Sequence, residues 1–197
     1  MLKELVYLKG YAKGKNLINT IKAITIANNL HTGQTRLTGE PYISHPARVA
    51  KQLLNLGLDD DSILATAIMH DTLEDCKITR GELEKTFDHK TYTAIELVTK
   101  NKNIAEQDYI NNILDNEIAT LVKISDRCHN VSTMAGGFSN EKINSYINET
   151  KMYYIPLCKA AIDKYPNYSD SIYAMKLQIE AICNALEIAL NLKGCDK

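Results

Sequence analysis

The sequence predicts an all-α protein, a bundle of roughly nine helices in a single domain over residues 1–197. Three observations lead there. Apolar residues recur at helical spacing along most of the chain, and no segment sustains the apolar and polar alternation of a half-buried strand. Gly33, Gly39, Pro41, Gly57, Gly136, Gly137, Pro166 and Gly194 fall at the breaks between the periodic stretches.

Taken in order, residues 15–30 set Leu17, Ile18, Ile21, Ile24, Ile26 and Ala27 on one broad face, which predicts a first long helix. The next stretch, from His31 to Pro46, holds two Gly and two Pro and reads as an ordered loop. Ser44 or His45 suits an N-cap before a helix that begins at Pro46, buries Ala47, Val49, Ala50, Leu53 and Leu54, and ends at Gly57. Asp59 to Asp61 are placed to cap the helix that follows.

That helix, Ile63 to Asp75, is the stretch around which the chain is organised. Its first seven residues are nearly all apolar, as expected of a helix surrounded by other helices. It then meets His70, Asp71, Glu74 and Asp75, which helical spacing would gather into one stripe. Burying an unpaired charge costs several kcal/mol, on the order of the stability of a small domain, so the stripe needs solvent, a counter-ion or a metal. A helix that simply surfaces at its C-terminal end would explain these thirteen residues equally well.

Thr79 with Glu82 forms a capping-box pattern ahead of a short helix, and residues 91–99 form another. Asn101 to Ala105 read as an exposed turn, Tyr109 to Leu114 as a helix, and 117–131 as a longer one that runs from Ile118, Leu121, Val122 and Ile124 into His129 and Asn130. Gly136 and Gly137 break the chain. A long helix over 141–164 stops before Pro166, and an amphipathic helix over 170–192 closes the chain ahead of Gly194.

Composition narrows the function. With 23 basic and 24 acidic residues the net charge is −1, which argues against a broad nucleic-acid or membrane-surface footprint and leaves a local anion pocket open. The five cysteines are odd in number, widely spaced and without a C-x-x-C pair, a pattern of reduced thiols and not of a disulfide framework or zinc ribbon. The N-terminus places charges inside its apolar stretch, so it fails as a secretory signal, and no apolar run approaches the length of about 20 residues that a spanning helix needs. A cytoplasmic protein is expected.

Two helices end in polar clusters, His70-Asp71-x-x-Glu74-Asp75 and Asp126-Arg127-x-His129-Asn130, and the loop adds His45. Imidazoles and carboxylates without thiolates favour a harder divalent ion such as Mn²⁺ or Fe²⁺ over structural Zn²⁺.

These residues carry a resemblance to a known family. Four blocks do so: Gly33-Gln-Thr-Arg36-Leu-Thr-Gly39-Glu-Pro41-Tyr-Ile-Ser-His45-Pro46, Ala67-Ile-Met-His70-Asp71-Thr-Leu-Glu74-Asp75, Lys123-Ile-Ser-Asp126-Arg127-Cys-His129-Asn130-Val-Ser-Thr133, and Glu149-Thr150-x-x-x-Tyr154-Ile-Pro156-Leu157. The chain resembles the HD superfamily of metal-dependent phosphohydrolases, and within it the hydrolase domain of RelA/SpoT-type alarmone enzymes and their small stand-alone relatives. The resemblance implies an HD-domain helical bundle in which His45, His70, Asp71 and Asp126 hold one Mn²⁺. It implies that Glu74 and Asp75 position and deprotonate the attacking water. It implies a small nucleotide substrate, guanosine tetra- or pentaphosphate ((p)ppGpp, the alarmone of the stringent response), cut at its 3′ position to GDP or GTP and pyrophosphate.

By the same resemblance Arg36, Asn130 and Thr133 match nucleotide-contacting positions, and Tyr154 is placed to line the pocket. A planar guanidinium suits Arg36 to stacking on a base or forking onto phosphate. Cys128 beside His129 reads as core packing and not as a nucleophile pair, because adjacent residues point to different sides of a helix. His31 and His89 read as surface or capping residues. At 197 residues the chain is expected to lack the synthetase and regulatory domains of the long family members, and Asn144 and Ser145 stand where basic residues are common there. Open alternatives are an HD phosphohydrolase acting on NADPH, a deoxynucleotide or a nucleoside monophosphate, a non-catalytic nucleotide-binding regulatory module, and a helical adaptor.

Overall fold

The acidic triplet predicted to start the central helix does so, and it also starts a second one. In the computed structural model, which describes residues 2–101 and 103–195 with side chains through Asn191, Asp60 caps the helix Asp61–Met69. One of its carboxylate oxygens accepts the Ser62 and Ile63 amides at 2.8 and 3.2 Å. The neighbouring Asp61 reaches across to the helix Ile18–Leu30, where its carboxylate accepts the Asn19 and Thr20 amides at 2.8 and 2.7 Å. Two orphan helix ends are thus satisfied by adjacent acids.

The chain forms two compact units, Met1–Asp126 and Arg127–Lys197. In the first, the helices are α1 (Lys3–Lys15), α2 (Ile18–Leu30), α3 (Ser44–Asn55), α4 (Asp61–Met69), α5 (Thr72–Asp75), α6 (Arg80–Thr86), α7 (His89–Val98) and α8 (Glu106–Leu114), followed by the start of α9 (Glu117–Thr133). Every residue of α4 from Ser62 to Met69 is buried, and α4 packs against α2, α3 and α7. The central helix is sheathed by other helices, as its apolar run predicts. Among the described residues there is no strand, only an isolated antiparallel bridge between Thr35 and Pro41.

The second unit holds the end of α9, then α10 (Asn140–Glu149), a π-helical turn over Thr150–Tyr154, α11 (Ile155–Lys164) and α12 (Ser169–Cys195). Short 3₁₀ turns cover Met134–Gly136 and Pro166–Tyr168. α12 packs along α11 and α10.

The all-α class holds, with twelve α-helical segments among the described residues against roughly nine expected. One helix was not expected and several boundaries differ. α1 was not expected, because Gly10, Gly14 and lysines interrupt its pattern, yet Leu5, Leu8 and Ala12 are buried at i, i+3 and i+7. α3 starts at Ser44, two residues before Pro46, which is tolerated because a first-turn amide has no intrahelical acceptor to lose. Its end is as predicted: Gly57 has φ +80°, and the Leu58 and Gly57 amides return to the Leu53 and Leu54 carbonyls.

The expected helix over 63–75 is two segments, broken at His70 and Asp71. There the Thr72 hydroxyl takes the Met69 carbonyl at 2.7 Å and a His70 ring nitrogen takes the Ala67 carbonyl at 2.8 Å, so side chains replace ladder amides. The expected helix over 141–164 contains the π turn, and the last helix runs past Gly194 to Cys195. The capping box of Thr79 and Glu82 is present as predicted. Lys102 of the 101–105 turn and the thiol of Cys195 lie outside the described residues. Cys76, Cys128, Cys158 and Cys183 are free thiols.

Candidate metal centre

The break after α4 aims the functional groups. With His70 Nδ1 donating to the Ala67 carbonyl, its Nε2 faces inward, which fixes both tautomer and ring orientation. His45, on the first turn of α3, brings its own Nε2 to 3.1 Å from that of His70. Asp126, near the middle of α9, places Oδ1 3.1 Å from His45 Nε2 and 3.6 Å from His70 Nε2. One ligand atom from each of His45, His70 and Asp126 lies within 4.8 Å of the others, and all three residues are buried. Asp71 adds a carboxylate whose oxygens stand 3.1 Å from His70 Nε2 and 3.6 Å from His45 Nε2.

Two imidazole nitrogens 3.1 Å apart, ringed by carboxylates, are a donor set shaped for a cation. The electrostatics agree. Burial pushes the His45 imidazole below its usual range, against the pull of Asp126. Burial acts the same way on His70, but Asp71 and Asp126 outweigh it and raise it to about 10. Burial would raise both acids, and His70 instead holds Asp71 below the usual carboxylate range. For Asp126, burial is overcome first by Lys123 and then by the two histidines. Lys123 Nζ holds the other Asp126 oxygen at 3.1 Å, leaving Oδ1 for the cluster. The residues fit a divalent metal ion.

The two expected catalytic acids are on α5, and they face different groups. Asp75 remains one turn from Asp71, and the phenol of Tyr42 meets both, 2.7 Å from Asp71 Oδ2 and 2.9 Å from Asp75 Oδ2. Burial and those two carboxylates push the Tyr42 phenol far above its ordinary range, so it stays protonated. Glu74 instead accepts the Lys100 amide at 2.6 Å. Although Glu74 is open to solvent, surrounding protein raises its carboxyl above the ordinary range while the Lys100 N–H pulls the other way. Glu74 and Asp75, with Leu73, Arg80, Thr99, Lys100 and Asn101, line a cleft of about 520 Å³, a volume that suits a small molecule.

Arg36 stands in the loop predicted as irregular, which is a small hairpin: the Arg36 amide bonds to the Glu40 carbonyl at 2.8 Å, and the Tyr42 amide to the Gln34 carbonyl at 2.9 Å. Asn130 and Thr133 are half-buried near the end of α9, and the Thr133 hydroxyl returns to the His129 carbonyl at 3.1 Å. Tyr154 is 2 % exposed, and its ring centroid lies 3.5 Å from the Arg127 guanidinium.

Cys128 is buried with its thiol directed to the Met175 carbonyl, consistent with packing. His89 begins α7 on the surface, as expected. His31 is a C-cap, but it is 3 % exposed and stacks on Tyr42 with ring centroids 4.9 Å apart, so it belongs to the interior beside the cluster. Tyr42 and Lys123, which touch the expected ligands, were not singled out from sequence. Both lie inside the motif blocks, and only the hairpin and the i, i+3 spacing on α9 reveal their partners.

The chain is similar to known proteins over most of its length. An HD domain family model matches residues 23–161. A guanosine-3′,5′-bis(diphosphate) 3′-pyrophosphohydrolase of Aquifex aeolicus is 38% identical over 144 residues, 69% of this chain and 20% of that protein. The bifunctional (p)ppGpp synthase/hydrolase SpoT of Escherichia coli is 32% identical over 147 residues, 69% of this chain and 21% of that protein. The chain thus spans about a fifth of the length of the curated relatives it matches. The solved structure of a metazoan ortholog of SpoT that hydrolyses ppGpp aligns with a TM-score of 0.63 at 21% identity, covering 85% of this chain and 94% of that one. That is a likeness of fold. A match across well over half the chain, on the residues that converge at the cluster, places this protein in the HD domain family.

Proposed function

We propose that this protein is a Mn²⁺-dependent (p)ppGpp 3′-pyrophosphohydrolase of the cytoplasm, its residues 1–197 acting as a single HD hydrolase domain. The observation that carries the reading is the convergence of His45, His70 and Asp126 beside Asp71, in a chain whose relatives are named for this reaction. His45, His70, Asp71 and Asp126 would hold one Mn²⁺, whose borderline-hard character matches two imidazoles and two carboxylates. When bound, the ion neutralises phosphate charge and acidifies water at neutral pH.

The other steps belong to side chains. Glu74 and Asp75 orient the attacking water and accept its proton, and the raised carboxyl of Glu74 brings it nearer neutral pH, where a general base works best. Water attacks phosphorus, the bond from the 3′ oxygen to that phosphorus breaks, and the oxygen takes a proton, so ppGpp and water become GDP and pyrophosphate. Arg36 is assigned to the nucleotide base or a phosphate. Asn130, Thr133 and Tyr154 are assigned to the nucleotide by family resemblance, Tyr154 acting from a buried position. The partner is a small nucleotide, in keeping with a net charge of −1, which favours neither nucleic acid nor an anionic membrane. Among the described residues no helix is long and apolar enough to cross a membrane.

Incubating metal-stripped protein with ppGpp, with and without Mn²⁺, tests this directly. GDP and pyrophosphate, separated by anion exchange, are expected from the Mn²⁺-loaded wild type and not from a His70→Ala/Asp71→Ala variant. Metal uptake without ppGpp turnover would reject the substrate and turn the same assay to NADPH, deoxynucleotides and nucleoside monophosphates.

A further inference from the structure

Tyr42 lies between two carboxylates to which different tasks are assigned. Its hydroxyl is 2.7 Å from Asp71 Oδ2 and 2.9 Å from Asp75 Oδ2. Its ring is held on one side by His31, stacked at 4.9 Å with 24° between planes. Its backbone is held by Gln34, whose carbonyl accepts the Tyr42 amide at 2.9 Å. Gln34 also fixes both neighbours: its Oε1 meets His31 Nδ1 at 2.7 Å and its Nε2 donates to the Asp75 carbonyl at 3.1 Å. The hairpin that carries Arg36 is therefore tied to α5 at two points, one backbone and one side chain.

We propose that Tyr42 is a positioning residue for the hydrolysis, its phenol fixing the metal-holding Asp71 and the water-handling Asp75 relative to each other. This inference rests on the roles assigned to those acids under the proposed function. One O–H cannot donate to two carboxylates at once. The proton goes to one of them while the phenol oxygen stays 2.7 and 2.9 Å from both, so the one hydroxyl holds the two carboxylates together. Residues that orient metal ligands from behind in this way are worth about 10- to 100-fold in affinity or rate.

Tyr42→Phe removes only the hydroxyl and keeps the ring on His31, so the metal-free melting temperature is expected to stay within about 2 °C of wild type. Mn²⁺ affinity by titration calorimetry is expected to fall severalfold. With ppGpp, kcat is expected to fall about 10- to 100-fold with KM within about twofold. Wild-type values for Mn²⁺ affinity and kcat overturn the proposal, as does a loss of rate that follows a lowered metal-free melting temperature. If the wild type itself leaves ppGpp intact, the substrate assignment fails and the calorimetry decides alone. Equal Mn²⁺ affinities then overturn the role of Tyr42, and a weakened one in Tyr42→Phe sustains it.

Discussion

Asp126 and Arg127 are consecutive on α9, 5 % and 4 % exposed, and oppositely charged, yet their surroundings differ in kind. Arg127 is paired. Its guanidinium pairs with Glu149 at 2.7 Å, donates to the Thr150 hydroxyl at 3.3 Å, and faces the rings of Tyr146 and Tyr154 at 4.1 and 3.5 Å. Asp126 is held on one oxygen by Lys123, while the other joins two imidazole nitrogens that face each other. A buried charge by itself is therefore no mark of function. What distinguishes the two is that Arg127 meets a counter-ion, a hydroxyl and two ring faces, whereas Asp126 is gathered with two imidazoles and a second carboxylate around one point.

Replacing each residue separates the two environments most sharply. Asp126→Ala is expected to lower ppGpp hydrolysis by about 10³-fold or more, roughly 4 kcal/mol of transition-state stabilisation. It should also abolish the Mn²⁺-dependent rise in melting temperature, which for a site at a hundred times its Kd is worth about 2.7 kcal/mol. Arg127→Met is expected to do the reverse. It loses about 3 kcal/mol of stability in urea unfolding, since it strands Glu149 and empties the space between two tyrosines. Its Mn²⁺-induced gain in melting temperature should persist under conditions where it is folded. Loss of metal response in Arg127→Met, or its retention in Asp126→Ala, would break the contrast.

The next test asks whether the imidazole pair is waiting for a cation. Without metal, Asp71 and Asp126 together overcome burial and keep a proton on His70 up to about pH 10. A metal must displace that proton, so loading releases it. Below pH 10 the apparent Mn²⁺ affinity is expected to tighten as pH rises, by up to about tenfold per pH unit for one proton. Calorimetry in buffers of different ionisation enthalpy measures the release. The Arg127 cluster gives no such dependence, because its guanidinium does not titrate in this range.

The legibility of the chain divides along similar lines. His70, Asp71 and Asp126 stand out in the sequence because ionisable residues follow apolar helical runs, whereas His45 comes from a loop and joins them through the family resemblance. The hydrophobic run from Ile63 to Met69 likewise announces its burial. The break between α4 and α5 was hidden, since it depends on the Thr72 hydroxyl and the His70 ring outcompeting backbone amides for the Met69 and Ala67 carbonyls. The π turn over Thr150–Tyr154 went unread as well, although Pro156, which has no amide hydrogen to give the preceding turn, lies just past it. Tyr42 was hidden for a third reason. Its neighbours in space come from a hairpin register and from α5, and spacing along the chain does not encode that meeting. Helix periodicity, in short, reports which face is buried but not which side chain takes a carbonyl.

The smallest expected effect on stability concerns Glu74, where function and stability pull apart. Its folded carboxyl is raised above the ordinary value of 4.5, chiefly by desolvation. Folding therefore favours the protonated form. The associated stability is fully present below the unfolded pKa and is lost as pH rises through the folded one, so at neutral pH the charged side chain weakens the fold slightly. Glu74→Gln keeps an oxygen for the Lys100 amide and removes the charge. Because the group is open to solvent, screening limits the gain to a few tenths of a kcal/mol, about 1–2 °C in melting temperature at pH 7. The gain should vanish when both proteins are melted below pH 4.5, where the wild-type acid is itself neutral. Hydrolysis should fall about 10²- to 10⁴-fold in the same variant if Glu74 serves the attacking water. A variant that is less stable at pH 7, or equally active, would show that Glu74 is held by Lys100 as Arg127 is held by Glu149, as a satisfied structural charge.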